Sequence, residues 1–543
     1  MKKLIFPSVV IALMLVITGC PPAGNGELTG VMNREIWYEP DPYGMLFIPM
    51  GSYNMGPNDQ DVPWAMTAQS KTVSIQAFWM DETEITNNEY RQFCYWVRDS
   101  LAYKILAGKD GNGNVPANKR DRSYLKILGA DDDIWYEPDE MSDLDEQLIT
   151  SNPFINWRTE IDWKVKDAQN ELERAGFYYP PHERYYRRKE FDVRKWNFEY
   201  YWIDLQQAAK KFYYTDKDQN GLAIEKTRTY HHFDINVKED NNGEKKIQFR
   251  DFKSGQFKEL NQQQVTINGD FEEYGGIVDN DPVKYFNERG EKVNVRSRAS
   301  FIMKDVINVY PDTLCWVRDF SYSYNEPMTK MYFWHPAYDH YPVVGVSWKQ
   351  ARAFSIWRTQ LLNGFLAEGG QTFVQDFRLP TESEWEYASR GGLDLSMYPW
   401  GGYYTRNYTG CFIANFKPLR GDYRADGGFH TVIVASFDPN DYGLYDMAGN
   451  VAEWTRNAFD ESAYSFTDDL NPDYFYEARE EDHWQKKRKV LRGGSWKDIG
   501  YYMQCGTRTY EYQDTAKSFI GFRNVRTYLG RDKNDDVSRS QVY

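Results

Sequence analysis

Residues 442–455, YGLYDMAGNVAEWT, constrain this chain more than any other stretch. Two glycines and an asparagine break the backbone just before an acid and a tryptophan. Gly449 and Asn450 suit a tight turn with positive φ. Glu453 follows Asn450 by three residues. One turn can therefore aim the Asn450 side chain, the loop carbonyls at Gly449 and Val451, and the Glu453 carboxylate at one point. An all-oxygen set of this kind suits a hard cation such as calcium. A second stretch, 492–523, opens on a Gly493–Gly494 bend and closes on Gly521, Phe522 and Arg523. The 543 residues are 41% hydrophobic and 17% aromatic, which supplies ample area to bury and argues against a disordered chain. The length allows two or three domains. The net charge of −15 argues against nucleic acid or an anionic lipid surface as the main partner.

Local signals place the first elements. Residues 44–56 alternate and end at Gly56, which predicts a strand and a hairpin turn. Residues 73–93 predict a strand followed by a helix. Three capping boxes mark helix starts: Thr86 with Glu89, Ser347 with Gln350, and Thr381 with Glu384. The first helix is expected to run through Phe93 and Trp96. Gly391 and Gly392 should end the third. The apolar run 342–346, PVVGV, predicts a buried strand.

The first twenty residues, MKKLIFPSVVIALMLVITGC, have two lysines before an apolar run too short to span a membrane. This is a secretory signal segment, either an ordinary one with a chance cysteine or a lipoprotein signal. Residues 17–20, ITGC, resemble the bacterial lipobox. That resemblance implies acylation at Cys20 and lipid anchoring at the periplasmic face of the outer membrane. Residues 21–40 then form a tether. The other cysteines, Cys94, Cys315, Cys411 and Cys505, match no zinc spacing. They are either buried free thiols or disulfide partners, in one of three pairings.

Several motifs occur in one order: GMLFIPMGSYNMG (44–56), RLPTESEWEYASRGG (378–392), CFIANF (411–416), ADGGFH (425–430), the 442–455 loop, and RGGSW through IGFR. Together they resemble the sulfatase-modifying-factor family, whose enzymes convert a substrate cysteine to formylglycine. The resemblance implies an α+β fold of formylglycine-generating-enzyme type, related to C-type lectins, with little regular structure. It divides the chain into a domain at 41–96 and 335–530, an insertion at 97–334, and a tail at 531–543. It also implies calcium at Asn415, Phe416, Asp426 and Gly428, and a second calcium on the 449–453 loop at Gly449, Asn450, Val451 and Glu453.

The family's oxidase holds Cu(I) on two cysteines soon after the Gly-Gly-Ser turn. Residues 496–504, WKDIGYYMQ, contain none. The first cysteine position falls on Asp498, and Cys505 aligns with neither ligand. The expectation is a fold without copper and without this catalysis. Iron on three histidines is the other use of the fold. His335, His340, His430 and His483 lack the spacing for it.

The insertion interleaves aromatics with charges of both signs, notably at 157–166, 178–202 and 322–336. Tyr178, Tyr179, Tyr185, Tyr186, Trp196, Tyr200, Tyr201 and Trp202 either form a partner surface or pack within the segment's own core. Residues 216–221, DKDQNG, resemble the start of an EF-hand loop, but Thr227 stands where the bidentate Glu belongs. Residues 39–65 and 309–351 resemble the type IX secretion and gliding-motility lipoprotein K group (PorK/GldK). Its members form a periplasmic ring of copies with a partner, protein N, beneath the outer membrane. An active formylglycine-generating or related oxidoreductase, and a calcium-dependent glycan-binding lipoprotein, are the alternatives.

Overall fold

The computed structural model describes residues 41–57, 70–106, 157, 160–203, 301–319, 326–369, 371–418, 422–478 and 482–528. It also describes the backbone of short strands at 125–127, 153–155, 235–239, 245–250, 257–259, 283–286 and 292–295. Pro42–Leu529 forms one compact unit. Cys20, the tether, the EF-hand-like stretch 216–221 and the tail fall outside the described residues.

The capping boxes form as their spacing predicts. Thr86 N–H donates to Glu89 (2.7 Å) and Glu89 N–H to Thr86 Oγ1 (3.4 Å), opening the helix Asn87–Leu106. That helix runs ten residues past Trp96, so the boundary at 96/97 falls inside a regular element. Ser347 with Gln350 starts Trp348–Glu368, and Thr381 with Glu384 starts Glu382–Arg390. Gly391 ends the last in the left-handed region.

Two four-stranded sheets carry the unit. One runs Met45–Ile48, Phe78–Asp81, Val525–Thr527, Phe377–Arg378, all antiparallel, and brings the two ends of the unit together. The other runs Thr509–Tyr512, Arg488–Arg492, Ala452–Ala458, Ile520–Gly521, with only the last pair parallel. Gly51–Met55 and Lys71–Ile75 pair as a hairpin.

The expected strand at 342–346 does not form. Val343, Val344 and Val346 are buried, but Gly345 sits at φ +76, outside the strand region. A Cβ there would lie 2.5 Å from the Asp312 carbonyl oxygen. The segment is instead bonded singly, from Val343 N–H to Ile85 and from Gly345 N–H to Lys517.

Residues 172–200 of the insertion share the main core. Leu172, Phe177, Trp196, Phe198 and Tyr200 join one apolar cluster with Phe93, Val97, Phe354 and Trp357. The chain departs along Asn197–Ile203 and returns along Ile302–Asn308 as a seven-pair antiparallel ribbon. Tyr90 secures the return by donating its hydroxyl to the Val309 carbonyl (2.9 Å).

Candidate functional site

Asn450 takes φ +56 and Gly449 φ +85, as a tight turn requires. A Cβ on Gly449 would lie 2.4 Å from the Asn415 carbonyl oxygen, so only glycine lets the two loops meet this closely. Asn450 N–H donates to that carbonyl (2.8 Å). Its side-chain oxygen accepts from Val432 N–H (3.0 Å) and its amide donates to Glu84 (2.6 Å). Glu84 also accepts from Val451 N–H (3.0 Å). Burial pushes the Glu84 carboxyl well above the usual range, and nearby Asp446 adds to it.

Glu453 does not share a point with this loop, which corrects the expected set at 449–453. It lies on the strand Ala452–Ala458 and turns into the core. Arg523 Nη2 and Nε donate to its two oxygens (2.6 and 2.8 Å), and Trp385 Nε1 donates to the second (2.7 Å). A carboxylate committed to a guanidinium is a poor ligand for a metal ion, because the cation is already supplied. Glu84 takes the place by Asn450 that Glu453 was expected to fill. No sequence spacing signals this, since Glu84 lies 366 residues from Asn450 along the chain.

Asn415, Phe416, Asp426 and Gly428 do converge. The Asp426 carboxylate is buried and accepts from Phe416 N–H (2.7 Å) and Gly428 N–H (3.3 Å). Burial raises its pKa. The Asn415 amide donates to the His430 carbonyl (2.9 Å). Its oxygen would lie 2.7 Å from a Cβ on Gly428. Spare carboxylate lone pairs, an amide oxygen and backbone carbonyls make a donor set that fits calcium.

The window after the Gly-Gly-Ser turn holds no thiolate. Ser495 Oγ donates to Asp498 (2.6 Å), whose carboxyl is raised by burial. Trp496 stacks on Trp316 (6.2 Å, 17°), and His430 meets its ring edge-on (4.8 Å, 84°). Trp316 comes from the returning stretch of the insertion, at Cys315–Asp319. Burial lowers the His430 pKa. Cys505 is buried, contacts Ser389 Oγ (3.3 Å), and is raised by burial, which makes its thiol inert. Cys94, Cys315, Cys411 and Cys505 are all free, and only Cys411 is exposed. His335 and His483 cap local turns through Nδ1. Among the described residues no three of His, Cys, Asp and Glu are placed to hold a metal ion.

The charged residues of 378–392 build an interior ion-pair network. Arg492 donates to Glu382 (2.6 Å) and Glu386 (2.9 Å), and Arg390 donates to Glu386 (2.6 Å). All four are buried.

The aromatic candidates divide. Tyr185, Tyr186 and Tyr201 are exposed. Trp196 and Tyr200 are buried in the main core, and so is Tyr178, which corrects their reading as partner contacts. Trp202 is half-buried, with the Arg352 guanidinium 4.3 Å from its ring, and Tyr179 is half-buried as well. The missed signal is alternation: Phe198, Tyr200 and Trp202 face inward, and Glu199 and Tyr201 face outward.

The family described as "Sulfatase-modifying factor enzyme 1-like domain" matches residues 38–152 and 233–528. The inactive C-alpha-formylglycine-generating enzyme 2 of Bos taurus is 37% identical over 190 residues, 34% of this chain and 49% of that protein. The formylglycine-generating enzyme of Mus musculus is 31% identical over 201 residues, 35% of this chain and 45% of that protein. The chain thus spans about half the length of these curated relatives. The structure of PvdO from Pseudomonas aeruginosa is 24% identical, with a TM-score of 0.27, over 35% of this chain and 63% of that one. The matches take in inactive and active proteins alike, and the family covers most of the sequence. This chain belongs to the sulfatase-modifying factor enzyme 1-like family.

Proposed function

We propose that this protein is a non-catalytic member of its family that serves as a scaffold lipoprotein. The carrying observation is Asp498. It stands where the family's first copper cysteine would be, holds Ser495 (2.6 Å), and lies beside a packed aromatic layer of Trp316, His430 and Trp496. A carboxyl and an indole layer cannot replace two thiolates for Cu(I). Calcium at Asn415, Phe416, Asp426 and Gly428 would serve as a staple between loops. Acyl chains on Cys20 would hold the protein at the periplasmic face of the outer membrane. The resemblance at 39–65 and 309–351 supports a place in the type IX secretion and gliding-motility machinery, as a ring of copies with protein N. Exposed Tyr185, Tyr186 and Tyr201 remain available to such partners.

Two experiments test the reading. A cysteine peptide with the sulfatase consensus, incubated with the protein, copper and oxygen, should gain no aldehyde above a metal-free control. Turnover would overturn the non-catalytic reading. Native membranes solubilised in mild detergent should yield this protein with copies of itself and protein N, and Cys20→Ser should release it from the membrane fraction. Recovery as a lone monomer, or unchanged fractionation of the variant, would sink the scaffold or the anchor respectively.

A further inference from the structure

Two consecutive loops hang from the buried anchor Ala414, Asn415 and Phe416. The first is closed by Asn407 N–H to Cys411 O (2.9 Å) and Ile413 N–H to Thr405 O (3.2 Å). Within it the Arg406 guanidinium lies 4.0 Å from the Phe412 ring centroid. Beyond the anchor, Lys417 stands over Tyr423 (5.0 Å) and Arg424 over Phe429 (5.4 Å). All three cations are exposed, and among the described residues none has a carboxylate at ion-pair distance. This is unusual company in a chain with 80 acidic and 65 basic side chains. The aromatic neighbours are open as well: Tyr404 is 79% and Tyr408 100% exposed.

A ring beneath a cation holds the long side chain extended while leaving donors free; Arg406 gives Nη1 to the Gly410 carbonyl (3.2 Å) and keeps its other donors. Three such cations, carried on consecutive loops with tyrosines between them, outnumber the exposed Asp422 that accepts from Arg424 N–H (3.3 Å), and so form a net basic surface on an acidic chain. Tyrosine and arginine are the side chains enriched in protein interfaces. We propose that this surface docks an acidic, extended segment of a partner protein. The segment's carboxylates would seat on Arg406, Lys417 and Arg424, and its backbone would lie against Tyr404 and Tyr408. The charge complementarity argues for that occupant. The inference stands on the contacts of these loops and is independent of the lipid anchor and of the secretion machinery.

The test uses the full chain in detergent micelles and a fluorescein-labelled decamer of alternating Glu and Ser. A Lys-Ser decamer and vesicles of phosphatidylglycerol are the comparison probes. The acidic decamer should bind and the basic one should not. Raising salt from about 50 to about 300 mM should weaken binding steeply. Combined Arg406→Ser, Lys417→Ser and Arg424→Ser should weaken it about tenfold or more, and Tyr404→Ser with Tyr408→Ser about threefold. Lys164→Ser, Lys166→Ser and Arg187→Ser, which remove three cations elsewhere, should leave it intact. These side chains are exposed, so an unchanged melting temperature should accompany each variant. The proposal is overturned if the acidic decamer fails to bind, if the triple loop variant binds it equally, if the control variant loses binding to the same degree, or if only the vesicles bind.

Discussion

Glu453 and Arg523 form a two-nitrogen ion pair (2.6 and 2.8 Å) with both side chains closed off from solvent. The pair joins the 442–455 loop to the IGFR stretch, and Arg523 also donates to the Tyr445 carbonyl (2.9 Å). Removing one partner leaves the other charge buried and unpaired. Arg523→Ala should therefore lower the unfolding free energy by about 3–5 kcal/mol, read from denaturant midpoints at constant slope. A variant within about 1 kcal/mol of the native protein would contradict this account.

Chelation separates the two calcium expectations. With the first set intact, a chelator should lower the melting temperature, because an ion bound only to the native state stabilises it. Asp426→Ala should abolish most of that response. The response should persist in Glu453→Gln, because Glu453 already serves Arg523. Loss of the response in Glu453→Gln alone would restore Glu453 as a ligand.

Asp446 gives stability a pH dependence of known sign. Burial raises its carboxyl to about 6 in the folded state. Between the unfolded value near 4 and this value the folded state binds more protons, so its contribution falls as pH rises through that window. The unfolding free energy of the native protein relative to Asp446→Asn should drop by about 3 kcal/mol at most between pH 4 and 7. A difference that stays flat, or rises, would refute it. Measuring the difference removes the opposite slope from paired acids such as Glu382, whose pKa the guanidinium groups of Arg508 and Arg492 lower against the cost of burial.

Lys489 should give a slope of the other sign. It is fully buried, 3.7 Å from the Trp348 ring centroid, and donates to the Tyr476 carbonyl (2.6 Å). Burial lowers its pKa to about 7. The unfolded chain then binds more protons between about pH 7 and 10, so stability rises with pH across that range. Lys489→Met removes the buried charge. It should be more stable than the native protein at neutral pH and below, with the gap closing by about pH 10. Parallel curves for the two proteins would rule this out.

Local chemistry was readable along the chain, and distant chemistry was not. Thr86, Ser347 and Thr381 open their helices because a capping box closes within four residues. The turn at Gly449 and Asn450 follows from residue type alone. The place of Glu453 does not follow from its spacing, because its partner Arg523 lies seventy residues away. Gly345 sits in an apolar run that reads as a strand, and only the approach of Asp312 explains its φ. Trp196 and Tyr200 resemble surface aromatics by composition. Their burial follows from packing against Phe93 and Trp357, which lie beyond any local window.

The ribbon formed by Asn197–Ile203 and Ile302–Asn308 has a consequence for how such a chain can change over time. Ile203 and Ile302 sit opposite each other as a matched pair. The excursion between them therefore begins and ends at one spot, and a tight hairpin turn could bridge the two positions without moving the core strands. A change in the length of the stretch between them would leave this register intact, provided that Phe301, which is buried, keeps its place.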